Sequence, residues 1–155
     1  MIKGNENICR IFDIFHDGCI ANYQYVDNDL ELEIEIRYLA ERVKSDYRKF
    51  WLRLQNTHSI VFKTWPNDHN AEPECIESLT RVFEPELGIL SCEVEGLSLN
   101  VACNQPSKNW NYCGGTLTLQ ADGAIVRDEG KKEYSIEELG AICEKYWSEW
   151  EKKNS

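Results

Sequence analysis

The segment LELEIEIRY, residues 30 to 38, constrains this chain more than any other. Leu30, Leu32, Ile34, Ile36 and Tyr38 alternate with Glu31, Glu33, Glu35 and Arg37. A period of two puts the first set on one side of a strand and the second on the other. The charges fix which side is which: one face enters a core and the other meets water. A strand of this kind needs antiparallel neighbours and something apolar laid against its inner face.

Those neighbours are legible along the chain. CIANYQYV precedes it, separated by the turn residues Asp27, Asn28 and Asp29. KFWLRLQN and SIVFKTW follow, with Asn56-Thr57-His58 reading as a hairpin loop between them. If strand 30–38 lies beside strand 49–55, the glutamates face Lys49, Trp51 and Arg53, and each opposite-charge pair contributes ~0.2–1 kcal/mol. A further strand is expected near Leu79 to Phe83. GILSCEV and LSLNVAC flank Glu95-Gly96, and GGTLTLQ and AIVRD flank Asp122-Gly123, which reads as two more hairpins. Polar, proline-bearing stretches at 66–78 and 104–112 read as loops, and 39–48 as irregular chain with one helical turn.

Two helices frame these strands. Ile8, Ile11, Phe12 and Phe15 recur at helical spacing, which predicts a short helix over 6–15. Near the other end, Ser135 and Glu138 form a capping box. Ile136, Leu139, Ile142, Cys143, Tyr146, Trp147 and Trp150 continue from it as an apolar stripe. Gly140 weakens that helix, a cost that close approach of a neighbouring strand would explain. The expected class is α+β, a single domain over 1–155. It is a predominantly antiparallel β-sandwich or strongly curved sheet, with a short N-terminal helix and a C-terminal amphipathic helix packed on it.

Charge narrows the function. The net charge of −10 opposes binding to nucleic acid or to anionic membranes and attracts a basic protein. No apolar run approaches the ~20 residues needed to span a bilayer, and no signal-peptide pattern opens the chain, so a cytoplasmic protein is expected. The seven cysteines include no C-x-x-C, and their odd number argues against a full disulfide framework. They are expected to act mostly as small buried hydrophobes.

The stretch FHDG, residues 15 to 18, admits two readings. His16 and Asp17 form a possible metal or acid–base pair. They also suit a turn: His16 at the negative end of the helix dipole, Asp17 bonding nearby amides, and Gly18 free to take positive φ. The other histidines, His58 and His69, stand at no metal-site spacing from His16 or each other, so the turn is favoured and no metal or cofactor is expected.

Phe15-His16-Asp17-Gly18, followed by the strands CIANYQYV and LELEIEIRY, resembles a group of small bacterial proteins with an F-H-D signature at the entry to their first hairpin. Some of that group are immunity proteins of bacterial toxin systems and others are uncharacterised. The resemblance covers about residues 12 to 38 and implies a compact cytoplasmic β-rich protein without catalysis.

Phosphate-loop and hydrolase-elbow motifs are absent, and no catalytic residue is expected. Cys113 beside Gly114-Gly115 is a nucleophile only if a histidine reaches it. The row Glu31, Glu33, Glu35 reads as a solvated face rather than a tuned carboxylate pair. Trp110 and Tyr112, in a polar loop, are either binding anchors or a cap folded back on one end of the core. Trp51 and Trp65, on outer faces, form an exposed patch if they lie together. The leading expectation is a non-catalytic, immunity-like domain with an acidic surface, binding a basic protein through Trp110, Tyr112, Trp51 and the Glu31–Glu35 row. The alternative is a small-molecule or carbohydrate-binding β-sandwich, or a hydrolase built on one.

Overall fold

The structure, a computed structural model, describes residues 1–154. The first helix, α1 (Asn5–Ile14), leads into a hairpin of β1 (Cys19–Val26) and β2 (Asp29–Glu35). Asp27 and Asn28 both take positive φ at its tip, the turn conformation that twists a two-residue hairpin correctly. A single helical turn, α2 (Arg37–Ala40), follows, then β3 (Lys49–Gln55), β4 (His58–Pro66) and the two-residue β5 (Cys75–Ile76). After another turn, α3 (Leu79–Val82), come β6 (Leu87–Glu95), β7 (Ser98–Asn104), β8 (Tyr112–Gln120), β9 (Gly123–Arg127) and β10 (Glu133–Tyr134). The last helix is α4 (Ile136–Asn154).

All ten strands join one antiparallel sheet in the order β10-β9-β3-β2-β1-β6-β7-β8-β4-β5. The expected α+β class holds, and the sheet is open rather than closed. Alternation is realised where it was clearest: Leu30, Leu32 and Ile34 are fully buried, as are Phe50, Leu52 and Leu54 opposite them.

Two expected hairpins are not hairpins. β3 pairs with β2 and β9, while β4 pairs with β8 and β5, so Asn56-Thr57-His58 does not fold one strand back on the other. Asp122-Gly123 likewise separates β8 from β9 without pairing them. The registers explain why. Gln55 faces Gly123 and His58 faces Gln120, and the Asp122 amide donates to the Gln55 carbonyl at 2.8 Å between them. β3–β4 and β9–β8 are therefore one long antiparallel ribbon that bends at Asn56-Thr57 and Ala121-Asp122. Because β3 and β8 are also connected through β2, β1, β6 and β7, the sheet has to curl round for this ribbon to exist.

The bend is fastened by polar groups. Asn56 takes φ 48° and donates its amide to the Asp29 carboxylate at 2.9 Å and its side chain to Asp122 at 2.7 Å. Thr57, nearly fully buried, donates both its amide and its hydroxyl to the Asn28 carbonyl. Asn tolerates the left-handed region because its short polar side chain bonds locally.

α1 fills the curl. Ile8, Ile11 and Phe12 are fully buried, and Phe15, just past the helix, stacks on Phe50 with centroids 5.2 Å apart. Each such side chain contributes up to about 1.5–3 kcal/mol relative to exposure. β1 meets β6 only at Cys19–Gly88 and Ile20–Leu87. Farther along, α1 packs along β6: Asp13 accepts the Cys92 amide at 2.9 Å, and Cys9 is disulfide-bonded to Cys92. The other five cysteines are free, and only Cys103 of these is buried, so burial describes fewer of them than expected.

Three further expectations are corrected. Leu79–Val82 is a helical turn, not a strand. The strand from residue 30 ends at Glu35, and Tyr38 lies on α2. Gly140 leaves room for the Arg10 guanidinium of α1, which would sit 2.6 Å from a β-carbon there; the close neighbour is a helix. In α4 the capping box forms as expected, with Ser135 and Glu138 exchanging hydrogen bonds at 3.0 and 3.1 Å. Only Ile136, Leu139 and Gly140 of this helix are buried. No helix among the described residues is long and apolar enough to cross a membrane.

Candidate functional site

The outer face of β2 and β3 brings four of the singled-out residues together. The register places Glu31 opposite Arg53, Glu33 opposite Trp51 and Glu35 opposite Lys49. Register sets cations near the acidic row, but only Glu33 of its three members gains a close ion pair. Lys49 donates to Glu33 at 2.9 Å, and Arg53 donates to Asp29 from Nε and Nη2 at 3.0 Å each. Glu31 is left with a 3.9 Å contact from Arg53 Nη1. The hydrogen bond to Glu33 raises the Lys49 ammonium above its ordinary range. The Asn56 amide, and after it Arg53, lowers the Asp29 carboxyl.

Trp51 stands half-buried within this charged frame. Lys49 Nζ lies 5.6 Å from the centre of its indole, a cation–π contact. Two hollows adjoin the ring. One, about 360 Å3, is lined by Glu31, Trp51, Arg127, Asp128, Glu129 and Lys131. The other, about 80 Å3, is lined by Asn22, Tyr23, Gln24, Glu31, Glu33 and Trp51. Arg127 pairs with Trp51 across β9 and β3. The contribution of residues 127–131 was not foreseen, since only the placement of β9 beside β3 brings them here. Asn22 and Gln24 share the outer face with Glu33 and Glu31.

The other candidates lie elsewhere. Tyr112 is buried against Phe62, ring centroids 6.2 Å apart, and Trp110 packs half-buried on the same core. Tyr112 also lines a hollow of about 420 Å3 with Thr64, Asp68, Glu72, Glu74 and Asn111 among others. Trp65 is at the far end of β4, where it faces Gly114 of β8; it does not meet Trp51.

FHDG forms a tight exit from α1. His16 Nδ1 donates to the Asp13 carbonyl at 2.8 Å, and its Nε2 lies 3.9 Å from Asp17 Oδ2. Asp17, not Gly18, takes the positive φ, at 69°. Its amide donates to the Ile89 carbonyl. Gly18 is needed for space instead: a β-carbon there would sit 2.9 Å from the Phe15 carbonyl and 3.0 Å from the Ile34 side chain. The His16 ring stacks on Trp147 of α4 at 5.5 Å, and Tyr38 donates its hydroxyl to the His16 carbonyl. Tyr38, Tyr146, Trp147 and Trp150 continue the ring contacts, with Arg42 over Tyr146.

Among the described residues, no group of three or more His, Cys, Asp or Glu side chains is placed to hold a metal ion. Cys113 donates its thiol to the Trp65 carbonyl, and His58 is held between the Asn56 carbonyl and the Gln120 side chain. Burial raises the thiols of Cys19 and Cys143 and pushes Cys103 up to about 12. The phenols of Tyr38 and Tyr134 move upward for the same reason. These shifts all favour the neutral, less nucleophilic form at neutral pH. No protein-family model, curated protein or solved structure matches this chain.

Proposed function

We propose that this chain is a non-catalytic, immunity-like domain of the bacterial cytoplasm that binds a basic protein through the Trp51 face. The observation that carries the reading is an aromatic ring held half-buried on the outer face of the sheet, framed by ordered charges, on a molecule of net charge −10. Interfaces gain most from aromatic anchors ringed by polar groups, and opposite net charge steers encounter. The Glu33–Lys49 and Asp29–Arg53 pairs keep the face ordered. Exposed thiols at Cys75 and Cys113 suit a reducing compartment; the buried Cys9–Cys92 bridge pulls the other way.

The test begins with partners recovered on the immobilised chain and identified by mass spectrometry. Association rates of the purified partner are then compared at low and high salt. A basic partner whose association slows by about tenfold or more with added salt supports the reading. Partners without basic character, or a rate indifferent to salt, contradict it.

A second reading, a small-molecule or carbohydrate site, is favoured by the hollow that Tyr112 lines with Asp68, Glu72 and Glu74. A thermal-shift screen of sugars and small cations addresses it. A stabilising ligand whose effect disappears in Glu72→Gln and Glu74→Gln supports this second site.

A further inference from the structure

We infer that the larger hollow beside Trp51 receives an arginine side chain of the partner, its guanidinium stacked on the indole and hydrogen-bonded to Glu31. The inference rests on the protein-binding reading and adds the chemistry of the contact.

Acceptor capacity singles out Glu31. Asp29 is engaged by two nitrogens of Arg53 and Glu33 by Lys49. Within the hollow, Asp128 is buried and accepts the Tyr134 hydroxyl at 2.7 Å and the Lys132 amide at 3.0 Å. Glu129 accepts the backbone amides of Arg48 and Lys49. Glu31 keeps only its 3.9 Å contact, and it is the carboxylate that borders both hollows beside the indole.

The field favours a cation. In the lining of the larger hollow the carboxylates Glu31, Asp128 and Glu129 outnumber the cations Arg127 and Lys131, while Lys49 beside it is paired with Glu33 and Arg53 with Asp29. Arg127 is drawn toward Glu133 at 3.6 Å, and Lys131 adds one opposing charge. An indole face attracts cations, as the position of Lys49 over Trp51 already shows, and Lys49 lines neither hollow. Arginine suits the place better than lysine. Its flat guanidinium stacks on a ring while its fork meets a carboxylate, and it is less strongly hydrated than an ammonium.

The test uses the full chain and capped tripeptides carrying a central arginine, lysine or citrulline. The readout is the indole N–H resonance of Trp51 in nitrogen-15 spectra, assigned by its loss in Trp51→Phe. The arginine peptide should shift this resonance saturably, the lysine peptide should bind several-fold more weakly, and neutral citrulline should leave it unmoved. Glu31→Gln should weaken the arginine peptide by about fivefold or more while leaving the melting temperature in place. No shift, equal binding of citrulline, or an unchanged affinity in Glu31→Gln would overturn the inference. If the partner still associates in a salt-dependent way when the peptide does not bind, the pocket is wrong and the protein-binding reading stands. If both fail, both are wrong.

Discussion

Two aromatic regions of this chain look alike in sequence and are used in opposite ways. On α4, Tyr146, Trp147 and Trp150 follow each other at helical spacing, and the rings satisfy one another. Trp147 stacks on His16, Tyr146 packs on Tyr38, and Arg42 adds a cation–π contact and an ion pair to Glu149. On β3, Trp51 has no aromatic partner among the described residues; it is bordered by Lys49 and by two hollows. Rings packed on rings fasten a helix to its support. A ring packed among ion pairs stays in place with surface to spare. The first region is structural, and the second is the one we propose for binding.

The largest effect expected concerns the platform under the α4 region. His16 leaves α1, and α1 is tied to β6 by Cys9–Cys92, which closes a loop with a sequence separation of 83. Reduction should destabilise the fold by up to roughly 4 kcal/mol on chain-entropy grounds. Denaturant midpoints with and without reductant measure this, and the Cys9→Ala/Cys92→Ala chain should no longer respond to reductant. Equal midpoints for the oxidised and reduced wild type would remove the covalent tie from the account.

Ring deletion comes next and separates the regions directly. Trp147→Ala should cost about 2 kcal/mol, since a half-buried indole loses part of what a fully buried one does. Trp51→Leu should cost less, about 1 kcal/mol or below, since leucine keeps part of the apolar contact of a likewise half-buried ring. Urea unfolding of the two variants side by side provides the comparison, and a larger loss at Trp51 would reverse the assignment.

Ser135→Ala tests how α4 is anchored at its start. Loss of this cap should cost about 1 kcal/mol and leave the Trp51 indole resonance unchanged. A shift of that resonance would show that the regions are coupled.

The smallest effects are in acid. Asp29 and Glu138 both ionise more readily in the folded chain. The Asn56 amide is the main cause for Asp29 and the Ser135 amide for Glu138, with Arg53 and Lys132 adding to them. A depressed carboxyl adds stability above its unfolded value, near pH 4, and that stability is lost as pH falls through the lower folded value. Stability measured from pH 6 down to pH 2 should therefore fall less steeply in Asp29→Asn and in Glu138→Gln than in wild type. Identical acid limbs would show that these bonds do not order the face or the cap.

Much of the Trp51 face was legible in advance and part of it was not, for a physical reason. Period-two alternation in 30–38 and 49–55 fixes which side chains point outward, and the shared register follows from burying Leu30, Leu32 and Ile34 opposite Leu54, Leu52 and Phe50. Arg127, Glu129 and Lys131 reach the same face only because β9 pairs with β3, a contact some seventy residues distant. The same long-range pairing defeated the two hairpin readings. Asn56-Thr57 and Asp122-Gly123 carry turn residues, and a corner in a continuous ribbon calls for the same conformations as a hairpin. Seven cysteines without a spacing pattern gave no sign that Cys9 and Cys92 meet, because the curl of the sheet around α1 brings them together.

The most direct measurement is the dissociation constant of the identified basic partner for Trp51→Leu and Trp150→Leu, determined together. Trp150 is 47% exposed, more than the half-buried Trp51, and supplies an accessible indole outside the proposed face. Binding through the Trp51 face predicts a loss of about tenfold or more at Trp51 and none at Trp150. Weakening at Trp150 with full affinity at Trp51 would contradict it and move the binding surface to α4.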